Sequence, residues 1–290
     1  MKGQRYHFDR LILWYLAGIF VITFLGSYSG LPYLFAALVH LALIFMVLQL
    51  SASSRRSDIR SALRWFYPLL LMVPLHYEVE FVGTLLQGGA KFDVLVRAWD
   101  QRLFGGHPHR YMADVLPGPW WRELFHLLYL SYFVIVGSGF WFAWRKGRKD
   151  GEASPAFLRY AFVFMGVFLT YMVIFILFPV VGPHDDRFLR FHGHGLLGPL
   201  IDQLFALGDS AGGAMPSSHV GEAVVVFLLL GPRHQAIRTG FVALIAGLAL
   251  STVYCSFHYG IDALAGLLTG PLFYLGWSWV YGRLRGEGSG

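Results

Sequence analysis

Long apolar runs separated by short polar segments organise the chain. No Asp, Glu, Lys or Arg occurs from Leu11 to Gly26 or from Leu31 to Leu50, and a helix that crosses a bilayer needs about 20 mostly apolar residues. The pattern continues and predicts about eight transmembrane helices, the first of them a true span rather than a cleaved signal peptide. The expected fold is all-α, a polytopic membrane helix bundle forming a single domain over residues 1–290. We place the spans at residues 11–29, 31–50, 62–86, 120–144, 156–180, 216–231, 237–255 and 259–281.

The composition of the chain agrees with a membrane protein. Only 14% of the residues are charged and 56% are hydrophobic, whereas a soluble domain carries about 25% charged residues. The single cysteine, Cys255, excludes an intramolecular disulfide and a cysteine metal cluster. The net charge of +6 could indicate nucleic-acid binding. The basic residues follow a membrane topology instead, so we expect no nucleic-acid partner.

The positions of the basic residues predict the orientation of the bundle. With a cytoplasmic N-terminus, the inner side holds 16 of the 23 Lys and Arg residues, although the outer loops are much longer. This is the asymmetry of the positive-inside rule, and an odd number of spans would remove it. We therefore predict that both termini are cytoplasmic and that residues 87–119 and 182–215 face outward. The inner segments are 1–10, 51–64, 145–155, 232–238 and 282–290.

Two long segments are thus expected on the outer side. The first, 87–119, interleaves apolar residues such as Val96 and Trp99 with charges, which predicts an amphipathic helix lying at the membrane surface. A cap that only shields the bundle is an equally good interpretation. The second, 182–215, is rich in Gly, His and Pro, and long loops on a rigid scaffold often carry function.

A predicted helix start near residue 216 offers an anion site. Pro216 suits the first helical turn, and Ser217 and Ser218 can cap or bond the free amides there. Unpaired N–H groups and the helix dipole both favour negative charge at such an end. His219 lies in the same turn, so an imidazole is expected beside the anion site.

A second segment supplies another imidazole and an acid. His258 and Asp262 are spaced i, i+4 and would share one face of a helix. The carboxylate can then accept a hydrogen bond from one ring nitrogen, which leaves the other nitrogen as a nucleophile or base. In the predicted topology His219 and His258 both fall at outward ends of spans. We therefore expect the two histidines at the same depth, around one site.

Together these segments resemble the phosphatidic acid phosphatase type 2 superfamily. Residues 216–219 are similar to its P-S-G-H signature. Residues 251–262 are similar to its S-R-x5-H-x3-D signature, with Ser251, His258 and Asp262 at matching positions. The resemblance covers about residues 90–270 and implies a catalytic core at about 90–282. Three further stretches resemble the inositol phosphorylceramide synthase-like branch: Trp99–Gly105, Tyr129–Tyr132 and Phe178–Pro183.

This resemblance implies a lipid phosphatase or a phospholipid headgroup phosphotransferase. His258 would attack phosphorus to form a phosphohistidine, Asp262 would orient it, and His219 would protonate the leaving group and then activate the acceptor. The implied substrate is a phospholipid or an isoprenoid or sphingolipid phosphate in the membrane. The acceptor is water or a small alcohol such as inositol. The resemblance implies a site on the non-cytoplasmic (periplasmic or lumenal) side, with no metal and no other cofactor.

The chain departs from the signatures at the residues that bind phosphate. Ser218 replaces the signature glycine, Thr252 replaces the motif arginine, and no clear K-x6-R-P motif is present. Phosphate binding must therefore come from elsewhere. Our candidates, besides the helix start at Ser217 and Ser218, are His184 and Arg187 in the second outer segment, with Lys91 as a weaker one.

Other interpretations stay open. A lipid binder or transporter on the same scaffold could keep the motifs without catalysis. Glu222, one turn after the first motif, could join the two histidines and the aspartate in a metal site, although the motif match disfavours it. Glu78 and Glu80 lie near the outer third of a predicted span. They fit either a polar headgroup site or an ion pair with an outer-loop arginine.

Overall fold

The computed structural model describes residues 6–52, 59–145, 154–208 and 210–286. These residues form 12 α-helices and one 3-10 turn, with no β-strand among them, which confirms the all-α prediction. Residues 1–5, 53–58 and 146–153, parts of the predicted inner segments, lie outside the described residues. The helices are α1 (His7–Gly26), α2 (Leu31–Ala52), α3 (Ile59–Gln87), α4 (Asp93–Phe104), α5 (Pro108–Val115), α6 (Pro119–Arg145), α7 (Pro155–Leu177), α8 (His184–Phe191), α9 (Gly198–Gly208), α10 (Ser218–Leu230), α11 (Gln235–Tyr254) and α12 (Gly260–Gly286).

Seven of the described helices are long and apolar enough to cross a membrane: α1, α2, α3, α6, α7, α11 and α12. The protein is therefore an integral membrane protein. Each of the eight predicted spans overlaps a helix, but the sixth corresponds to α10, which has 13 residues. Such a helix is about 20 Å long, against about 30 Å for the hydrocarbon core. The count of eight spans and the orientation stay predictions.

The segment 87–119 contains two short helices where the sequence predicts one. Gly105 ends α4 in a left-handed conformation with φ of 70°, which glycine adopts without steric cost. Pro108 then starts α5 at a position where its missing N–H costs nothing. On α4, Val96 and Asp100 are buried whereas Val94 is exposed, so the helix has two faces. Its location at the membrane surface stays a prediction.

The chain divides into two compact units. The first comprises Met1–Met72, Phe140–Leu169 and Gly276–Gly290, and the second comprises Val73–Gly139 and Thr170–Leu275. The predicted single domain over 1–290 stays a prediction. All eight candidate site residues lie in the second unit, so one unit contains the whole candidate site.

A buried ion pair is the main polar feature described in the first unit. Arg64 on α3 donates two hydrogen bonds to the carboxylate of Asp9 on α1, at 2.8 and 2.6 Å. The hydroxyl of Tyr67 donates a third at 2.6 Å, and the backbone N–H of Tyr6 donates a fourth at 2.7 Å. Each oxygen of the buried acid accepts two bonds, as burial of a charge requires.

Candidate active site

The two motif segments meet where α10 and α12 begin. The backbone N–H of Ser217, the N-cap residue of α10, donates to the carbonyl oxygen of Asp262 at 2.9 Å. Glycines let the two helices approach: a Cβ atom on Gly266 or Gly270 would collide with the backbone of Ser217 or Gly221, respectively. Small residues allow such close packing of membrane helices. The second unit thus fixes the two segments against each other through backbone contacts.

His219 and His258 lie on one pocket, as the sequence predicts. Their ring centroids are 5.9 Å apart and the ring planes are inclined by 65°. The pocket encloses about 280 Å³, a volume that includes its open mouth. Its lining residues are His76, Tyr129, Val181, His184, Gly213, Ala214, His219, Phe257 and His258.

The hydrogen bond of His258 fixes its tautomer. Its Nδ1 lies 2.8 Å from the carbonyl oxygen of Ala214, and Oδ2 of Asp262 is 3.6 Å from the same nitrogen. A carbonyl oxygen only accepts hydrogen bonds, so Nδ1 carries the proton and Nε2 keeps its lone pair. In the neutral ring, Nε2 is therefore the nitrogen with a lone pair that can act as a nucleophile or base.

The relation between His258 and Asp262 differs from the predicted shared helix face. Helix α12 begins at Gly260, so His258 lies in the turn before it. The carboxylate of Asp262 reaches back and accepts the N–H of Tyr259 at 2.8 Å, which is half of a capping box. This helix start, not a helical repeat, brings the acid close to the imidazole.

Two tyrosines of α6 surround His219. The hydroxyl of Tyr129 lies 3.2 Å from its Nε2, and the ring of Tyr132 packs with its centroid 4.4 Å from that of the imidazole. The hydroxyl of Tyr132 instead donates to Oε2 of Glu222 at 2.7 Å. Nδ1 of His219 and Oε1 of Glu222 are buried without a hydrogen-bond partner among the described residues. Nε2 of His219 is thus positioned by Tyr129, whereas its Nδ1 can still form a hydrogen bond.

A metal site was one interpretation of this region. Glu222 bonds to Tyr132, and the described residues contain no group of three or more His, Cys, Asp or Glu side chains placed to hold a metal ion.

Among the predicted phosphate-binding residues, His184 lines the pocket. It opens α8, outside the candidate spans. Burial, followed by the nearby charges of His258 and Arg187, lowers the pKa of His184 from its ordinary 6.5 to about 4. Its imidazole is therefore neutral near pH 7, with one N–H donor and one acceptor nitrogen.

Arg187 and Lys91 lie elsewhere in the second unit. Arg187 pairs with the carboxylate of Asp202, and its guanidinium carbon lies 4.5 Å from the ring centroid of Phe257. Lys91 donates to the carbonyl oxygen of Ala211. Neither side chain lines the pocket. Arg187 nevertheless contacts a wall residue, so its positive charge lies behind the ring of Phe257.

The serines of the first motif and the replacement of the motif arginine are all buried. Ser217 and Ser218 do not line the pocket, and Ser217 Oγ has no hydrogen-bond partner among the described residues. Thr252 donates to the carbonyl oxygen of Ala249 at 2.8 Å. Among the described residues, no Lys or Arg lines the pocket.

The sequence did not assign two wall residues, His76 and Tyr129. His76 interrupts an apolar run on α3, and this was the available signal. Tyr129 lies in a stretch that carries the family resemblance, although no role followed from it. The nearby Glu80 holds the loop before the pocket: its carboxylate accepts the N–H of Ala211 at 3.3 Å and its own N–H donates to Ser210 Oγ at 2.8 Å.

Comparison with known proteins identifies the family of the chain. Neither the search of curated proteins nor that of solved structures found a match. The family model of the PAP2 (phosphatidic acid phosphatase type 2) superfamily matches residues 95–275. That range covers more than half of the chain and includes both motif histidines. The inositol phosphorylceramide synthase-like branch stays a prediction. The chain belongs to the PAP2 superfamily.

Proposed function

We propose that this protein moves the phosphoryl group or phospho-headgroup of a membrane lipid to water or an alcohol through a phosphohistidine. Its family membership indicates an enzyme of the phosphatase or phosphotransferase type that acts on phosphorylated lipids. The observation that carries the proposed mechanism is the pair of imidazoles, His219 and His258, with ring centroids 5.9 Å apart on one pocket. An electrophilic phosphorus between them would meet a nucleophile and a proton donor together.

In the first step Nε2 of His258 attacks phosphorus, and the bond between phosphorus and the lipid oxygen breaks. The leaving oxygen takes its proton from the His219 imidazolium, so a neutral lipid alcohol departs. The phosphorylated His258 ring is positively charged. Asp262 Oδ2, 3.6 Å from Nδ1, and the carbonyl oxygen of Ala214 stabilise it.

In the second step His219, now neutral, takes a proton from the acceptor while the acceptor oxygen attacks the phosphohistidine. The bond between nitrogen and phosphorus breaks and returns its electrons to Nε2 of His258. Water as the acceptor gives a free phosphate, and an alcohol gives a new phosphoester. Both outcomes regenerate the starting protonation states of the two histidines.

Negative charge on the phosphoryl oxygens needs donors, and this charge stabilisation is usually a large share of catalysis. The start of α10 provides backbone N–H groups and a helix dipole, and His184 provides a ring N–H on the wall. Arg187 acts at longer range through Phe257. We place the site at the non-cytoplasmic side, following the charge asymmetry of the sequence.

A turnover experiment on the purified protein in lipid nanodiscs tests the mechanism. Phosphate release from phosphatidic acid should fall by about 10³-fold or more in His258→Ala, because the nucleophile is lost. His219→Ala should stall turnover and accumulate acid-labile phosphohistidine at residue 258, detectable by mass spectrometry. Wild-type turnover in His258→Ala would overturn the assignment.

The acceptor is determined by the products. Mass spectrometry of the lipids, with and without inositol, separates phosphate release from headgroup transfer. The synthase-like stretches at Trp99–Gly105 and Tyr129–Tyr132 favour transfer, whereas the general habit of the superfamily favours hydrolysis. A lipid binder or transporter would show neither product and would keep lipid binding in His258→Asn.

A further inference from the structure

His76 is a wall residue of the pocket that lies outside the part of the chain matched by the family. It comes from α3, whereas the family model covers residues 95–275. It shares the pocket with His184, His219 and His258. The pocket is therefore lined by four imidazoles, of which the signatures account for two.

The position of His76 on its helix argues against a purely structural role. The buried residues nearest to it on the same helix are the apolar Leu75, Val79 and Val82 and one acid, Glu78. An ionisable side chain inside a membrane-spanning helix is costly and marks a functional site by default. The ring of His76 lines the pocket, where it can meet a bound ligand.

The loop that contains Gly213 leaves space for the ring of His76. A Cβ atom on Gly213 would lie 3.1 Å from both Cε1 and Nε2 of His76, closer than ordinary contacts. Gly213 precedes Ala214, whose carbonyl oxygen accepts from His258. The loop that orients the nucleophile thus also contacts the ring of His76, and its glycine leaves room for that ring.

The shortage of basic side chains around the pocket indicates a role for His76. Thr252 stands where the superfamily signature has an arginine, and no described Lys or Arg lines the pocket. A phosphoryl group placed against His258 still presents oxygens that need hydrogen-bond donors. Besides the catalytic pair, the remaining wall imidazoles are His76 and His184, and a neutral imidazole can donate one N–H.

We propose that His76 is a substrate-binding residue that, together with His184, donates a hydrogen bond to a phosphoryl oxygen. The two imidazoles together replace the basic side chains that the signatures would supply. This inference rests on the proposed function of the pocket. It adds that the site recognises phosphate through neutral donors contributed by α3 and α8.

Binding of inorganic phosphate tests the inference apart from turnover. Phosphorus-31 NMR line broadening of phosphate, measured with the full-length protein in nanodiscs, gives the dissociation constant. His76→Leu should weaken binding about tenfold or more, because a hydrogen bond to a charged group is lost. His76→Gln keeps an N–H donor and should recover most of the affinity. The matched control is His126→Leu, since His126 is buried in the same unit and does not line the pocket.

Steady-state kinetics on phosphatidic acid supplies the second readout. His76→Leu should raise KM more than it lowers kcat, whereas a damaged fold would lower the fraction of active enzyme and leave KM unchanged. Equal phosphate affinity in His76→Leu and His126→Leu would overturn the inference, and so would absence of phosphate binding by the wild type. The proposed catalytic function fails on different evidence, namely undiminished turnover in His258→Ala. If His76→Leu does not fold, His76→Phe and His76→Gln give the same comparison.

Discussion

Asp9 in the first unit and Asp262 in the second are both fully buried acids, but their surroundings differ. Asp9 accepts four hydrogen bonds, two of them from the guanidinium of Arg64. Asp262 accepts one from the N–H of Tyr259, and its Oδ1 has no partner among the described residues. The same residue type at the same burial is satisfied in one unit and under-satisfied in the other.

The difference separates a structural from a functional use of buried polarity. A fully bonded network stabilises one arrangement of its groups, whereas a partly bonded one costs free energy in the folded state. Other under-satisfied atoms of the second unit lie near Asp262, among them His219 Nδ1 and Ser217 Oγ. Exceptions to polar satisfaction are expected where a protein gives up stability for activity.

Asp262→Asn should give the largest effect. The amide has no negative charge, so the positive phosphohistidine at residue 258 loses its counter-ion, and turnover should fall by about 10²–10⁴-fold. Stability should change little, because the hydrogen bond from the N–H of Tyr259 to the carboxylate of Asp262 can be retained by the amide oxygen. Phosphate release and thermal unfolding in nanodiscs measure the two quantities.

The opposite pattern is expected for Asp9→Asn. Removing this charge leaves Arg64 buried without its counter-ion, which should destabilise the fold by about 3–5 kcal/mol. Turnover per folded molecule should stay at the wild-type level. A loss of activity without a loss of stability in Asp9→Asn would contradict the comparison.

Tyr129 and Tyr132 sharpen the comparison within a single helix. Both rings contact His219, but the hydroxyl of Tyr129 bonds to the imidazole whereas that of Tyr132 bonds to Glu222. Tyr129→Phe should lower kcat about tenfold and shift its pH profile, because His219 loses a hydrogen-bond partner. Tyr132→Phe should lower stability by about 1–3 kcal/mol and spare kcat, because it leaves a buried carboxyl oxygen without its donor. Equal kinetic effects of the two variants would remove the distinction.

The smallest effect concerns pH. Since the pKa of His184 is lowered from 6.5 to about 4, folded and unfolded chains both hold it neutral above pH 6.5, and stability there does not depend on it. As the pH falls from 6.5 towards 4, the unfolded chain binds a proton that the folded protein excludes, and stability is lost. His184→Gln should therefore reduce the fall in melting temperature between pH 7 and pH 5. The exposed His194 supplies the control, because His194→Gln should leave the wild-type slope.

The helices and the central pair of histidines could be predicted from the sequence because their signals are local. Apolar runs of about 20 residues mark spans wherever they pack. The short motifs fix His219 and His258 at helix starts through their own flanking residues. The break between α4 and α5 depends on Gly105 and Pro108, which are local signals too. The amphipathic pattern continues across Gly105 and Pro108 and is the stronger signal, so the sequence predicts one helix there.

The rest of the site depends on contacts between residues far apart in the chain. His76 meets Gly213 only because α3 packs beside the loop before α10, and nothing in the sequence around His76 indicates that neighbour. A positive charge marks Arg187 and Lys91 as phosphate candidates. The sequence does not reveal that Asp202 and the carbonyl oxygen of Ala211 already engage them.

The link from the N–H of Ser217 to the carbonyl oxygen of Asp262 joins the two signatures through main-chain atoms alone. Substitution of side chains cannot delete such a bond, proline at 217 excepted. The two histidines that we propose to be catalytic therefore belong to one module with a fixed internal spacing. Pocket-lining residues on the surrounding helices can be substituted without breaking this bond. New substrate specificities should therefore arise by substitution of those lining residues, while the two signatures stay unchanged.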